Sequence, residues 1–272
     1  MSQTAALQRP AWAGWKDTLR AEWTKQSTVA GPAWLLAAVV VLTVAVSAAA
    51  DAASRCPADM TCSVDTVKLS LSGIQLGQAL VAILAVLPVC NEYSTGMIRV
   101  TLAAMPRRFT VLGAKASVAT GLVLVAGAIA ALGSLVAGVL ILPGHGFTVA
   151  RGFTDLSLSY SPTLRAALGS VLYLGLIVVL SMGIAAVIRD SAVSIGLALG
   201  LLYLFPVVAS FIGNQTWHNR IGRYTPMAGL NVQATTGLHS LPIGPWGGLG
   251  VLAAWSAAAL LAGALALRFR DA

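Results

Sequence analysis

A short charged segment, residues 91–108, lies between two long stretches that carry no charged side chain. It combines a carboxylate and several arginines with apolar residues. Gly96 permits a tight bend, and a short helix is predicted near 97–105, which Pro106 ends. The apolar face of that helix has to be buried, and its members are Met97, Ile98, Leu102 and Met105. We therefore predict that this segment binds a partner. The alternative is an interfacial turn that arginines hold at the membrane surface.

The sequence contains no recognisable catalytic motif. It has no Gly-x-x-x-x-Gly-Lys-Ser/Thr phosphate loop, no His-Glu-x-x-His zinc motif and no Gly-x-Ser-x-Gly nucleophile elbow. Its three histidines, His145, His218 and His239, are far apart in the sequence, and solvated or interfacial histidines are favoured over a metal site. We expect no enzyme activity, no metal and no cofactor in the chain itself.

The composition is that of an integral membrane protein. Hydrophobic residues make up 57% of the 272 residues and charged residues only 10%, whereas soluble domains carry about a quarter charged residues. Six intervals of twenty or more residues lack Asp, Glu, Lys and Arg: 26–50, 69–91, 116–150, 166–188, 191–219 and 224–267. A helix needs roughly 20 apolar residues to cross a bilayer, so each interval has room for one span.

We predict an all-α, polytopic membrane protein whose single transmembrane domain covers residues 1–272. Helices are favoured over strands because the apolar stretches are long and lack ten-residue alternation. The polar, proline-containing part of the last interval, 224–245, is predicted to be an outer loop, with short helices in the outer interface. The six spans are placed near 33–50, 70–90, 112–142, 166–188, 192–212 and 246–267.

The distribution of basic residues predicts the orientation. With both termini on one side, that side holds eleven of the 17 Lys and Arg residues and the other side holds six. The positive-inside rule then places both termini in the cytoplasm. The net charge of +8 is scattered beside the spans, which disfavours nucleic acid as a partner.

Residues 11–30 are predicted to form an amphipathic helix at the membrane interface, ahead of the first span. Trp12, Trp15, Leu19 and Trp23 recur at spacings of three or four, with bases between them. A disordered basic tail is the alternative.

Polar residues inside the spans are few. Gln75 and Gln78, three residues apart in the second span, could line a translocation path or form hydrogen bonds with a neighbouring helix. No predicted span has an ionisable side chain in its middle, which disfavours a proton- or ion-coupled carrier.

The cysteines fit this topology. Cys56 and Cys62 both fall in the outer loop between the first two spans, where a disulfide can persist. A bridge between them is favoured over metal binding or two free thiols.

The charged segment resembles a segment of the permeases of type-2 ABC transporters, at the position that follows their second span. The resemblance rests on Glu92-Tyr93, Gly96, Ile98-Arg99, Thr101-Leu102, Pro106-Arg107 and Lys115. Residues 19–25 and the ending 268–272 also resemble this family, especially its actinobacterial members. Met97 departs from the expected Thr, and the outer cysteine pair is not a general family feature.

The resemblance implies a mechanism and a set of partners. Two permease subunits in a bacterial plasma membrane would form the path for a hydrophobic or amphipathic substrate, and two separate ABC ATPases, which bind ATP and Mg, would drive export. Residues 91–108 would be the coupling segment, and its docking residues would be Glu92, Tyr93, Gly96, Ile98, Arg99, Leu102, Pro106 and Arg107. The alternatives are a membrane sensor or immunity protein of the same fold and, less favoured, a membrane enzyme acting on lipid.

Overall fold

The computed structural model of the protein describes residues 11–57, 62–98, 108–211, 213 and 215–269. These residues form helices and connecting turns, and no strand occurs among them. The α-helices are α1 (Ala11–Thr28), α2 (Ala30–Ala53), α3 (Thr66–Ser70), α4 (Ile74–Ser94), α5 (Arg108–Ile141), α6 (Ser161–Ile188), α7 (Ser191–Leu199), α8 (Phe205–Phe211), α9 (Gln215–Tyr224) and α10 (Pro245–Phe269).

Within the described residues, six helical stretches are long and apolar enough to cross a membrane. They are Ala30–Ala53, Thr66–Ser94, Phe109–His145, Ser161–Ile188, Ser191–Ala209 and Pro245–Phe269. This confirms the predicted all-α class and the six candidate spans. Each observed stretch overlaps one predicted span, and most extend beyond it because polar and small residues continue the helix past the apolar centre.

Helix ends follow local capping chemistry. Asp65 precedes α3 and accepts a hydrogen bond from the Lys68 amide, and Asp190 does the same for the Val193 amide at the start of α7. The fifth span is not a uniform α-helix, because Gly200–Leu204 forms a π-helix between α7 and α8.

The centre of the bundle is α6, which packs against α4, α5 and α10. Its contact with α10 depends on glycine: a Cβ added at Gly183 would lie 2.4 Å from the backbone carbon of Ala259. Small residues let helices in a membrane approach closely and gain van der Waals contact. The fully buried large side chains include Tyr173, Leu174 and Ile177 on α6 and Leu252 on α10.

One buried segment differs from the prediction. Pro226–Gln233, expected in an outer loop with short interfacial helices, forms a 3-10 helix that packs between α6 and α10. Val232 lies against Gly169, and Gly229 lies against Tyr173. The Gln233 amide donates to Ser170 Oγ at 3.1 Å, so the backbone turn is anchored inside the bundle.

Candidate functional site

Four charged side chains from three helices meet beside the end of α4. Lys115 Nζ of α5 donates to Glu22 Oε2 of α1 at 2.8 Å and to Glu92 Oε1 of α4 at 2.9 Å. Lys25 Nζ of α1 bridges the same two carboxylates, at 3.1 Å from Glu22 Oε1 and 3.0 Å from Glu92 Oε1. We call these four residues the ion-pair cluster.

The ion-pair cluster is mostly hidden from solvent and is balanced in charge. Glu22, Glu92 and Lys115 are 2%, 6% and 4% exposed, whereas the side chain of Lys25 is 38% exposed. Two carboxylates face two ammonium groups, which is the condition under which buried charges are tolerated. Partial burial acts to lower the pKa of Lys25, but hydrogen bonding to Glu92 and the attraction of both carboxylates raise it overall.

The sequence places these groups at one end of the bundle. Glu92 occupies the last turn of α4, and Lys115 lies near the start of α5, so the antiparallel helices bring them together. Helix α1 presents Thr18, Glu22 and Gln26 at a spacing of four residues, and all three are buried. A polar face of α1 therefore packs against the bundle.

The observed contacts of α1 refine its predicted role. Residues 11–28 are helical, as the amphipathic pattern suggested. Trp23 is exposed, whereas Trp15 lies beside Gly113 of α5. The predicted interfacial location of α1 stays a prediction.

The turn after α4 continues from the ion-pair cluster. Gly96 is exposed and adopts φ = 70°, a left-handed conformation that favours glycine. Met97 is 48% exposed, whereas Ile98 is buried and lines a small cavity of about 20 Å³ together with Glu92 and Lys115. Ile98 thus faces the bundle, and Met97 is available to a partner.

Tyr93 connects this turn to another part of the same end. The Arg189 guanidinium lies 4.9 Å from the centre of the Tyr93 ring. Arg189 ends α6 with φ = 66°, and its Nη2 donates to the Ala266 carbonyl of α10 at 3.2 Å. The ends of α4, α6 and α10 are therefore linked by one arginine.

The structure separates the predicted docking residues into three groups. Glu92 and Ile98 are buried in contact with their own chain, and Tyr93 is half-buried. Gly96 is exposed. The remaining predicted residues lie outside the described part of the chain, and they are Arg99, Leu102, Pro106 and Arg107.

The two glutamines of α4 have different surroundings. Gln78 is fully buried and its Oε1 accepts a hydrogen bond from the Tyr173 hydroxyl of α6. Gln75 is exposed, and its backbone carbonyl accepts from the Tyr203 hydroxyl. Gln78 therefore has the helix-to-helix hydrogen bond that was one of the two alternatives, and a translocation path through either residue stays a prediction.

The opposite end of the bundle carries the cysteine pair. Cys56 and Cys62 form a disulfide. Arg151 holds the same loop, because its Nη1 donates to the Cys56 carbonyl at 2.9 Å and its Nη2 to the Pro57 carbonyl at 2.8 Å. Cys90 is a free, buried thiol.

Sequence reasoning did not find the partners of Glu92. Glu22 was noted only within the resemblance, Lys25 also as a base of the amphipathic helix, and Lys115 as part of the resemblance, but none was paired with Glu92. A usable signal was present: Glu22 and Lys25 are three residues apart on one helix, and Lys115 is the one charged residue of the predicted span 112–142.

A third buried acid, outside the ion-pair cluster, was also missed. Asp51 lies in the last turns of α2, is fully buried and accepts a hydrogen bond from Ser70 Oγ at 3.1 Å. It lies near the end of the span, which agrees with the expectation that span centres lack ionisable groups.

Over the described ranges, no group of three or more His, Cys, Asp and Glu residues is arranged to hold a metal ion. No family model and no curated protein matches the chain.

Proposed function

We propose that the chain is the membrane-spanning permease subunit of an ATP-binding-cassette exporter. It resides in a bacterial plasma membrane with both termini in the cytoplasm. Two permease subunits form the path for a hydrophobic or amphipathic substrate, and two separate ATPases, which bind ATP and Mg, provide the energy. The observation that carries the proposal is the ion-pair cluster, which ties α1, α4 and α5 together directly beside the turn that follows α4.

The cluster supports a route for mechanical coupling. A partner that moves the turn after Gly96 also moves the end of α4, because only a few residues separate them. Glu92 passes this displacement to α1 and α5 through Lys25 and Lys115. An ATPase shifts the equilibrium between two membrane conformations only if it binds them with different affinity, and a rigid connection between turn and helices makes that difference possible.

The burial of Glu92 supports an indirect role for this residue in docking. At 6% exposure its carboxylate is engaged by two lysines of its own chain. We therefore place the direct ATPase contact on the exposed face of the turn, at Gly96 and Met97, and treat Glu92 as a positioning residue.

The face of the fifth span supports a second permease subunit. A methyl group built on Gly196 or Gly200 would meet no atom within 4 Å. Val193, Leu197 and Leu204 on the same span are exposed. Two glycines four residues apart on an apolar, uncovered helix permit close packing against a partner helix.

The test is affinity purification from the native host, with mass spectrometry of co-purified ATPases and an ATP-hydrolysis assay. The wild-type chain should retain an ATP-binding-cassette ATPase. Met97→Asp should lose it while inserting normally, because a carboxylate enters the docking surface. The matched control is Val149→Asp, which alters an exposed apolar residue at the other end of the bundle.

Two results would contradict the proposal. If the wild-type chain retains no such ATPase, the sensor or immunity function is favoured. If Met97→Asp retains the ATPase and its activity as well as Val149→Asp does, the turn is not the docking element.

A further inference from the structure

Helix α9 carries two arginines at the end of the bundle opposite the ion-pair cluster. Arg220 and Arg223 are three residues apart and so lie on one face of α9. They line an open hollow of about 790 Å³, together with Tyr224, His239 and Pro242. Among the residues that the structure describes, no acidic side chain lines this hollow. The positive electrostatic potential of the hollow therefore favours binding of an anion.

An apolar groove of about 340 Å³ adjoins the basic hollow. It is lined mainly by Phe205, Trp217, Ile221 and Trp255, and it shares Arg220 and Tyr224 with the hollow. One surface thus offers cationic groups and an apolar trough next to each other. A ligand that fits both parts has an anionic head and a hydrocarbon chain.

The two arginines keep their charge available. Among the described residues, neither guanidinium forms a salt bridge with a carboxylate. Instead, Arg220 lies 5.6 Å from the Trp217 ring centre and Arg223 lies 5.9 Å from that of Tyr224. A cation–π contact with an aromatic ring does not neutralise a guanidinium, so its N–H groups remain able to bind a phosphate.

The aromatic residues around α9 place the groove at the boundary of the membrane. Trp217, Tyr224 and Trp246 are exposed, and the Trp255 indole donates to the Tyr224 carbonyl at 2.9 Å. Tryptophan and tyrosine are enriched where lipid headgroups meet acyl chains. This is the depth at which a phospholipid presents its phosphate above its chains.

We propose that this surface binds an anionic phospholipid, with its phosphate on Arg220 and Arg223 and one acyl chain in the groove beside Trp217 and Trp255. Arginine matches phosphate geometry through two parallel N–H donors. The phosphate of a zwitterionic lipid should bind less tightly, because the cation in its own headgroup competes with the arginines for it. The site is separate from the coupling turn and does not depend on the proposed export function.

The experiment uses photoactivatable lipids with a diazirine in one acyl chain. The full-length protein is reconstituted in nanodiscs with photoactivatable phosphatidylglycerol or phosphatidylcholine, and labelled peptides are mapped by mass spectrometry. Phosphatidylglycerol should label the groove more strongly than phosphatidylcholine does. The labelled peptides should come from Phe205–Phe211, from Gln215–Tyr224 and from the residues around Trp255. The variant R220Q/R223Q should reduce this labelling by about tenfold, which corresponds to about 1.4 kcal/mol.

Two matched variants isolate the cause. R220K/R223K keeps both charges but loses the paired N–H donors, so its labelling should lie between that of the wild type and that of R220Q/R223Q. R268Q removes an arginine that also lies beside an aromatic ring, 5.8 Å from Phe269, but at the other end of the bundle. It should leave labelling of the groove unchanged.

Three outcomes would overturn the proposal. Equal labelling of the groove by both lipids would show ordinary solvation by acyl chains. Loss of labelling in excess inorganic phosphate would identify a free anion as the ligand. No labelling by either lipid would mean that another protein surface, such as a second copy of the chain, covers the groove.

Discussion

Lys115 of α5 donates a hydrogen bond to Glu92 of α4 across 2.9 Å, and both side chains are buried. The two residues lie on either side of the segment that joins their helices, and Glu22 and Lys25 extend the contact to α1. These ion pairs add to the apolar contact of Trp15 with Gly113 in fixing the position of α1 against the α4–α5 pair. Each of the following predictions tests a consequence of such a contact.

Lys115→Met should destabilise the protein by about 3–5 kcal/mol, because it leaves two buried carboxylates with one ammonium group. The measurement is the midpoint of thermal unfolding in detergent, and Lys68→Met at an exposed position is the control. The double variant Glu92→Gln/Lys115→Met restores charge balance between Glu22 and Lys25. The stability lost by the double variant should be smaller than the sum of the losses of Glu92→Gln and Lys115→Met. If the two losses simply add, the cluster is not an energetic unit.

The charge on Lys25 predicts a loss of stability at alkaline pH. Its folded-state pKa is raised, because the hydrogen bond to Glu92 and the attraction of both carboxylates outweigh partial burial. Its contribution is therefore fully present below the ordinary pKa of 10.5 and is lost as the pH rises through the higher folded-state pKa. Hydrogen exchange of the α1 amides should report this step.

Lys25→Arg provides the comparison, because arginine stays protonated over this range. Helix α1 of the arginine variant should remain protected where that of the wild type opens. If both proteins open at the same pH, titration of Lys25 is not the cause.

Breaking the Cys56–Cys62 disulfide should destabilise the loop at the other end of the bundle. The bond closes a loop with a sequence separation of only six residues, for which chain entropy predicts a stabilisation of about 2 kcal/mol. Cys56→Ser/Cys62→Ser should lower the unfolding midpoint and remove its sensitivity to reductant. Cys90→Ser should keep that sensitivity, because Cys90 is outside the bridge.

The sequence was sufficient for features that depend on local composition. Charge-free intervals located six candidate spans because a membrane excludes ionised side chains along the whole length of a span. Asp65 and Asp190 cap helices through bonds to residues three positions away, a local signal that the sequence also carries but that was not used to predict a helix start.

Features that depend on distant partners were not predictable in this way. Glu92 pairs with Lys25, 67 residues away, and the Tyr173 hydroxyl reaches Gln78 across 95 residues. Pro226–Gln233 has prolines and polar residues nearby that are typical of a loop. It nevertheless forms a buried 3-10 helix that packs against α6 and α10. The burial of Ile98 was not predictable either, because it depends on the helices that pack around this residue.

If two permease subunits associate through the fifth span, larger side chains at the glycines of that span should block the association by steric clash. Gly196→Leu/Gly200→Leu places two bulky side chains at positions where an added Cβ would have no other atom within 4 Å. Folding of the single chain should therefore be unaffected, while a partner helix should no longer approach closely. The dimer fraction in detergent, measured by light scattering, should fall several-fold. Gly250→Leu fills equally open space on α10 and should leave the dimer intact; an equal effect of both changes would place the subunit contact elsewhere.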